Sequence, residues 1–179
     1  MKRLCIILML AGPLAIQTMA VAKAAIGGLN PDKIYTADKK KSHAKIRDGL
    51  ITGGDQAIND VIILGIRHST NKGFERVVLD IEGNKKGEPV AIKRPPYYHV
   101  AVSPEMGRLV VTVWGGPKLA FDTQAVLKSF QKSKLVKRVE LLPVLERDRW
   151  TFILHLSGNR PVEVFELADP VRIIMDIHS

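Results

Sequence analysis

Short β-branched runs follow one another from residue 60 to the end of the chain, each bounded by turn residues. Over residues 77–81 apolar and polar side chains alternate, which is typical of a strand with one buried face. Residues 61–66 are nearly all apolar, as in a strand covered on both faces. Seven further runs lie at residues 89–92, 98–102, 109–114, 136–145, 150–157, 161–167 and 171–178. Nine such runs in about 120 residues predict a mostly β fold of the sandwich or barrel type.

One short helix is expected within this stretch, over residues 123–133. Asp122 can cap its first N–H groups, and Phe121 can pack back onto the helix. An apolar stripe is formed by Val126, Leu127 and Phe130. A helix of this length is marginal in isolation, so it must gain its stability by packing against a sheet.

The β-rich part also contains an internal repeat. Residues 76–83 align with residues 151–158 at an offset of 75, and residues 108–113 align with residues 172–177 at an offset of 64. Two similar β units, each unable to bury its own apolar face, would close on each other. The repeat therefore predicts a small β-sandwich of two similar sheets. Chance similarity is the alternative, because β-branched alternation is common to all strands.

The first 24 residues have the pattern of a secretory signal. Lys2 and Arg3 precede the uncharged residues 4–22, and the small-x-small motif of residues 22–24 follows. We expect cleavage after Ala24, which would leave a periplasmic or secreted protein with no integral membrane span. The alternative is an uncleaved anchor, because residues 4–22 approach the roughly 20 residues that a membrane span needs.

Residues 25–59 are predicted to be a flexible basic leader arm, and residues 60–179 the folded domain. The arm is rich in glycine and has no sustained apolar period, and its residues 32–48 hold six Lys or Arg against three Asp. The whole chain has 27 basic and 18 acidic side chains, a formal charge of +9, which signal cleavage would reduce to +6. The arm could adhere to an anionic surface or only solvate a linker.

Motifs for catalysis are lacking in the sequence. It has no HExxH pattern and no GxSxG elbow, and the loop at residues 115–117 contains a proline that lacks the N–H donor of a phosphate cradle. The only cysteine, Cys5, would leave with the signal, so no disulfide or thiol chemistry is expected. His155, His178 and Asp176 would approach one another only if their strands paired. We therefore predict a protein that is not an enzyme and that has no metal or cofactor.

Two segments resemble a known family. Residues 73–78 (GFERVV), followed by an acidic strand, and residues 169–177 (DPVRIIMDI) look like the opening and closing signatures of AMIN and AMIN-like domains. The likeness covers about residues 61–179 and implies a small β-sandwich of an exported bacterial protein. Better-studied members attach to peptidoglycan or place their host protein in the envelope. Because Ser179 comes immediately after the closing strand, the resemblance implies a stand-alone domain. The loop from Lys85 to Pro96 and the helix near residues 123–133 are closer to the AMIN-like branch of the family.

Six side chains are candidates for ligand binding: Arg76, Tyr97, Arg108, Trp114, Arg172 and Asp176. The two aromatic rings can stack on saccharide faces, the three arginines suit carboxylates, and the aspartate can accept hydrogen bonds from hydroxyls. Tyr98 is a further stacking candidate unless it lies in the core, where Trp150 is expected. For Arg172 and Asp176 the alternative is a cross-strand ion pair on an exposed sheet face.

These features predict a noncatalytic cell-envelope module that attaches to peptidoglycan or an associated anionic wall polymer. The alternative is a protein-interaction adaptor that docks onto an envelope machine through an exposed sheet edge. A third possibility is nonspecific adhesion to anionic polymers through the basic arm. Nucleic acid is not an expected partner.

Overall fold

The computed structural model describes residues 34–36, 45–144 and 147–179. The predicted signal, residues 1–24, lies outside this part, as does much of the predicted leader arm. The one helix of the described part, α1, spans Thr123–Ser129. The strands are β1 (Ile34–Thr36), β2 (Gly49–Gly53), β3 (Val61–Asn71), β4 (Phe74–Lys85), β5 (Glu88–Val90), β6 (Tyr98–Ser103), β7 (Arg108–Trp114), β8 (Lys118–Leu119), β9 (Val136–Leu141), β10 (Arg149–Leu156), β11 (Val162–Ala168) and β12 (Val171–His178).

The strands form two sheets packed face to face, so the predicted mostly β sandwich with one short helix is confirmed. Sheet A has the order β1-β2-β6-β7-β10-β9, and sheet B has the order β11-β12-β4-β3-β8, with β5 paired to β4. The pairs β1–β2 and β3–β8 are parallel, and the other strand pairs are antiparallel. Within the described residues, no helix has the length and apolar character that crossing a membrane requires.

The core lies between the sheets, because strand alternation directs every second side chain inward. On β4 and β7 the inward residues are fully buried, as shown by Val77, Leu79, Leu109, Val111 and Val113. The largest buried rings are Trp150, Tyr98 and Phe152. The expected core position of Trp150 is therefore confirmed, and Tyr98 belongs to the core rather than to a ligand surface.

The internal repeat is visible in the strand pairing. The offset of 75 relates β4 to β10, and the offset of 64 relates β7 to β12. In sheet B, β4 pairs with β12, and in sheet A their equivalents β10 and β7 pair with each other. The registers agree as well, since Val78 is opposite Ile174 and their equivalents Ile153 and Val110 are opposite each other. The two units are thus related by an internal two-fold relation that exchanges the sheets, which chance similarity between strands does not explain. Each unit contributes one strand to each sheet, so the prediction that each unit would form its own sheet is wrong.

The helix and β9 each end four residues earlier than predicted. The helix ends at Ser129 rather than at residue 133, because the N–H of Phe130 bonds back to the oxygen of Leu127 at 3.3 Å and tightens the last turn. Its predicted cap is confirmed, since the Asp122 side chain accepts from the Gln124 N–H at 2.8 Å. β9 ends at Leu141 rather than at residue 145, because Pro143 has no N–H to continue the ladder.

The structure corrects the flexible arm predicted over residues 25–59. Within it, β1 and β2 extend sheet A, and β2 pairs antiparallel with β6. Ile46 and Ile51 are buried, and Ile46 exchanges two backbone hydrogen bonds with Val162 of sheet B. The folded part therefore begins before residue 60. The sequence of β2, Gly-Leu-Ile-Thr-Gly, is too short to show a period, and its stability comes from pairing with a distant strand.

Candidate functional site

Three aromatic side chains cluster at one end of the outer face of sheet A. Tyr97 precedes β6, His99 lies on it, and Trp114 ends β7; all three are only partly buried. The ring centroids of Tyr97 and Trp114 are 5.3 Å apart, and the His99 ring is 4.5 Å from Trp114 and 5.0 Å from Tyr97. We call these three residues the aromatic platform. The structure thus brings together Tyr97 and Trp114, two of the predicted ligand residues.

A groove of about 280 Å³ lies at this platform. Its lining combines two rings with two amides, one carboxylate and backbone, supplied by Gln56, Ile58, Asn59, Tyr97, Trp114, Gly115 and Asp148. The rings offer apolar faces, while the amides and the carboxylate offer both donors and acceptors of hydrogen bonds. We call this cavity the aromatic groove.

The first wall of the groove is the loop of residues 55–59, which backbone hydrogen bonds attach to the platform. Asp55 donates its N–H to the oxygen of Pro95 at 3.0 Å and accepts from the N–H of Tyr97 at 3.1 Å. The Trp114 N–H then bonds to the oxygen of Tyr97 at 2.9 Å. The Asp55 carboxylate also accepts from the Ala57 N–H at 2.9 Å, which fixes the turn within the loop. The wall and the two rings are therefore held as one unit.

A buried glutamate anchors the start of this wall. Glu166 of sheet B accepts from the N–H of Gly54 at 2.7 Å and from the Tyr98 hydroxyl at 3.3 Å. Arg94 donates to its other oxygen at 3.4 Å. Burial, together with the negative charge of Glu166, raises the pKa of Tyr98 well above its ordinary value, so the hydroxyl remains a donor. Glu166 is thus a positioning residue for the groove.

Gly115 lies between the loop of residues 55–59 and the turn that contains Asp148, which is the second wall of the groove. Its φ of +89° is a conformation that side chains disfavour, and a Cβ there would lie 2.7 Å from the oxygen of Ile58. The next residue, Gly116, donates its N–H to the oxygen of Asp148 at 3.1 Å. Only glycine at position 115 lets the two walls approach each other this closely.

His99 completes the platform as an uncharged ring. Burial lowers its pKa, so the imidazole is neutral near pH 7. Its Nε2 lies 2.7 Å from the Tyr97 hydroxyl, and one of these two groups donates to the other. This hydrogen bond fixes the orientation of the Tyr97 ring toward Trp114 and leaves the platform without a positive charge of its own.

Arg108 lies on the same face as Trp114 but at the opposite end of β7. The two residues are six positions apart on one strand, which corresponds to about 20 Å. Arg108 is opposite His155 of β10, and His155 is opposite Arg138 of β9. Arg108 therefore does not line the aromatic groove, although it shares its sheet face.

Arg76, Arg172 and Asp176 lie on sheet B, away from the groove. Arg76 donates two hydrogen bonds to Asp176, at 2.7 and 2.8 Å, and Asp176 is fully buried. Arg172 donates to Asp80 at 2.9 Å, and Arg67 donates to the same carboxylate. The cross-strand ion pairs of the alternative are thus formed, with β4 residues as the partners, although Asp176 is buried and does not lie on an exposed face. Hydrogen bonding to Asp176 also raises the pKa of Arg76.

The histidines noted in the sequence do not come together. His155 lies on β10 in sheet A, whereas His178 and Asp176 lie on β12 in sheet B. In the part of the chain that is described, no group of three or more His, Cys, Asp or Glu side chains could hold a metal ion.

Sequence reasoning missed Ile58, Gly115 and the four polar side chains of the site, which are Gln56, Asn59, His99 and Asp148. The alternation of β6 was a usable signal for His99, because it places residues 97 and 99 on one face. No such signal existed for Gln56 and Asn59, which fall in the segment predicted to be an arm, or for Asp148, which lies in a turn. Contacts between distant segments bring these residues to the rings.

No known family model matches this chain, and no curated protein matches its sequence. The resemblance to AMIN-like domains, carried by residues 73–78 and 169–177, therefore remains a prediction.

Proposed function

We propose that this protein is a noncatalytic binding module of the bacterial cell envelope that attaches to peptidoglycan or an associated anionic wall polymer. The observation that carries the proposal is the aromatic groove, in which Tyr97 and Trp114 stand 5.3 Å apart beside a cavity lined by amides and a carboxylate.

Saccharide rings suit this combination of groups. One face of a pyranose ring is made of C–H groups and packs on an aromatic face, while its edge carries hydroxyls that need hydrogen-bonding partners. Tyr97 and Trp114 supply the faces, and Asn59, Gln56 and Asp148 supply polar partners at the rim. The wall is held by backbone hydrogen bonds, so little ordering is needed when a ligand binds.

Three features of the sequence support an envelope location for this ligand. The first 24 residues have the pattern of an export signal, and the chain after cleavage would carry a net charge of +6, which favours anionic polymers. The two AMIN-like signatures point to the same compartment. The proposal is therefore a periplasmic or secreted protein whose partner is the wall polymer.

Pelleting with purified sacculi tests the proposal. The chain of residues 25–179 should be retained at low salt, and Trp114→Ala should weaken retention at least tenfold, as expected for loss of an aromatic anchor. Phe74→Ala is the matched control, since Phe74 is a partly buried ring on the outer face of sheet B; it should leave retention unchanged. Thermal melts of each variant separate loss of binding from loss of fold. Absence of wild-type retention at low salt would overturn the proposal.

A further inference from the structure

The internal two-fold relation identifies an arginine whose partner has changed. The pair Asp80–Arg172, between β4 and β12, corresponds to the pair His155–Arg108, between β10 and β7, because both occupy equivalent registers. In sheet B, Arg172 donates to the Asp80 carboxylate at 2.9 Å. In sheet A a histidine stands where the acid would be, so Arg108 lacks the carboxylate that its counterpart has.

The surroundings of Arg108 are basic. Its Nε is buried and has no hydrogen-bond partner among the described residues. His155 lies beside Arg108 on β10, and Arg138 lies beside His155 on β9. The Nη2 atom of Arg138 is 3.0 Å from Nε2 of His155. Among the described residues, Glu140 is the acid that contacts this row; it pairs with Arg138 and lies 2.9 Å from His155. The row thus holds two permanent cations and a histidine, and the carboxylate of Glu140 is already engaged by Arg138 and His155.

We infer that Arg108, His155 and Arg138 form a subsite for a carboxylate of the wall polymer whose saccharide rings occupy the aromatic groove. The inference rests on the proposed function. An external carboxylate would take the place that Asp80 holds in sheet B, with charge-assisted hydrogen bonds from the guanidinium groups. Charge complementarity therefore selects an anionic polymer over a neutral one.

The face between the two sites is suited to an extended chain. From Trp114 to Arg108 the outward residues of β7 are Thr112 and Val110, and β10 contributes Thr151 and Ile153 beside them. None of these four side chains is charged, and the hydroxyls of Thr112 and Thr151 are 2.9 Å apart. A polymer with a carboxylate about 20 Å from a stacked ring can thus contact both sites at once.

The test compares native sacculi with sacculi whose carboxyl groups have been converted to neutral amides, using the chain of residues 25–179. A polyuronate and its methyl ester form a second pair of probes, in which the carboxylates are on the sugar rings. Wild type should bind one native polymer about tenfold more tightly than its blocked form at low salt, as expected for one charged hydrogen-bonded contact. The pair that shows this preference identifies whether the carboxylate belongs to the peptide or to the sugar.

Arg108→Gln should abolish the preference while retaining binding of the blocked polymer. His155→Asp should have the same effect, because it supplies Arg108 with an internal carboxylate as in sheet B. Arg67→Gln, which removes a cation from sheet B, is the matched control and should keep the preference. Trp114→Ala should weaken binding of both forms.

Two results would overturn the subsite: equal binding of native and blocked polymers by wild type, or an Arg108→Gln variant that keeps both the preference and the wild-type melting temperature. Either result leaves the proposed function intact, because sacculus binding persists. Failure of wild type to bind native and blocked sacculi alike would instead count against the proposed function.

Discussion

Glu75 should be one of the residues on which the stability of this sandwich depends most. Its side chain is buried, with 2% of the residue exposed. One carboxylate oxygen accepts from the backbone N–H groups of Lys134 and Leu135, at 2.8 and 3.3 Å. The other accepts from the Ser133 hydroxyl and lies 3.0 Å from Nε2 of His68. Glu75 therefore fixes the segment after α1 to the hairpin of β3 and β4.

The cost of removing this carboxylate follows from the groups that it leaves behind. In Glu75→Ala two backbone N–H groups lose their acceptor, and each buried unsatisfied donor costs about 1–3 kcal/mol. Because one of the two hydrogen bonds is short and the other is long, we expect Glu75→Ala to lower the free energy of unfolding by about 3–4 kcal/mol. In Glu75→Gln the amide oxygen still accepts from both N–H groups, while the charge and the acceptor of the Ser133 hydroxyl are lost, so the expected cost is about 1–2 kcal/mol.

Urea denaturation followed by tryptophan fluorescence measures both values, since the core residue Trp150 reports on the packing between the sheets. Which of the two variants loses more unfolding free energy matters more than the absolute size of either loss. If Glu75→Ala costs less than 1 kcal/mol, or if Glu75→Gln costs as much as Glu75→Ala, then the hydrogen bonds to the backbone do not fix this segment.

The same residue predicts a pH dependence. Burial alone would raise the pKa of Glu75, but hydrogen bonds from Ser133, Lys134, His68 and Leu135 outweigh it and lower the pKa below the ordinary value of 4.5. The stabilisation is thus complete above pH 4.5 and is lost as the pH falls through the lowered pKa of the folded state. Melts below pH 4.5 should decline less steeply for Glu75→Gln than for wild type; equal slopes would assign the acid sensitivity to other carboxyl groups.

Three further predictions concern the groove and its surroundings. Gly115→Ala should lower the free energy of unfolding by about 1–3 kcal/mol, because residue 115 has a positive φ and a Cβ there would lie too close to Ile58. It should also weaken sacculus retention. Denaturation and pelleting measure the two effects, and unchanged values for both would show that the walls can separate freely. Asp176→Ala should lower the free energy of unfolding by about 1–3 kcal/mol, because Arg76 loses two charge-assisted hydrogen bonds while a third of its side chain stays exposed to water. The folded variant should keep the wild-type retention, and weakened retention by folded protein would place sheet B in the site. Because burial lowers the pKa of His99, stability should decline as the pH falls below about 6.5, where the unfolded chain takes up the proton first. In His99→Asn the melting temperature should fall less than in wild type between pH 7 and pH 5. A pH dependence identical to that of wild type would contradict this prediction.

Much of the fold could be predicted from local information. The alternation at residues 77–81 shows a half-buried strand by itself, and the two repeat offsets indicated paired units before any strand pairing was known. The strand β2 could not be predicted in this way, because five residues between two glycines show no period. Its stability comes from its register with β6, about 50 residues away, and from Ile51 in the core.

The site was predictable only in its aromatic half. Ring chemistry singled out Tyr97 and Trp114, and the register of β6 with β7 brings them together. The charged candidates were chosen on residue type in the same way, but the strand register places each of the three on sheet B beside an oppositely charged residue of the same sheet. Asp176 is opposite Arg76, and Arg172 is opposite Asp80, so internal ion pairs take up these side chains. Alternation gives the face on which a residue lies, whereas only strand pairing gives its neighbour.

The internal two-fold relation also gives a reason for proposing a ligand site on sheet A and none on sheet B. Arg76–Asp176 in sheet B corresponds to Thr151–Thr112 in sheet A, and Asp80–Arg172 corresponds to His155–Arg108. A ligand that approached sheet B would have to separate hydrogen-bonded ion pairs, one with a fully buried carboxylate, and breaking such a pair costs about 3–5 kcal/mol. On sheet A the equivalent positions hold two hydroxyls and an arginine without its carboxylate, so a polymer can be bound there without that loss. The two sheets therefore share a backbone plan, while their outer faces differ: sheet B carries internal ion pairs, and sheet A is the face on which we propose that the polymer binds.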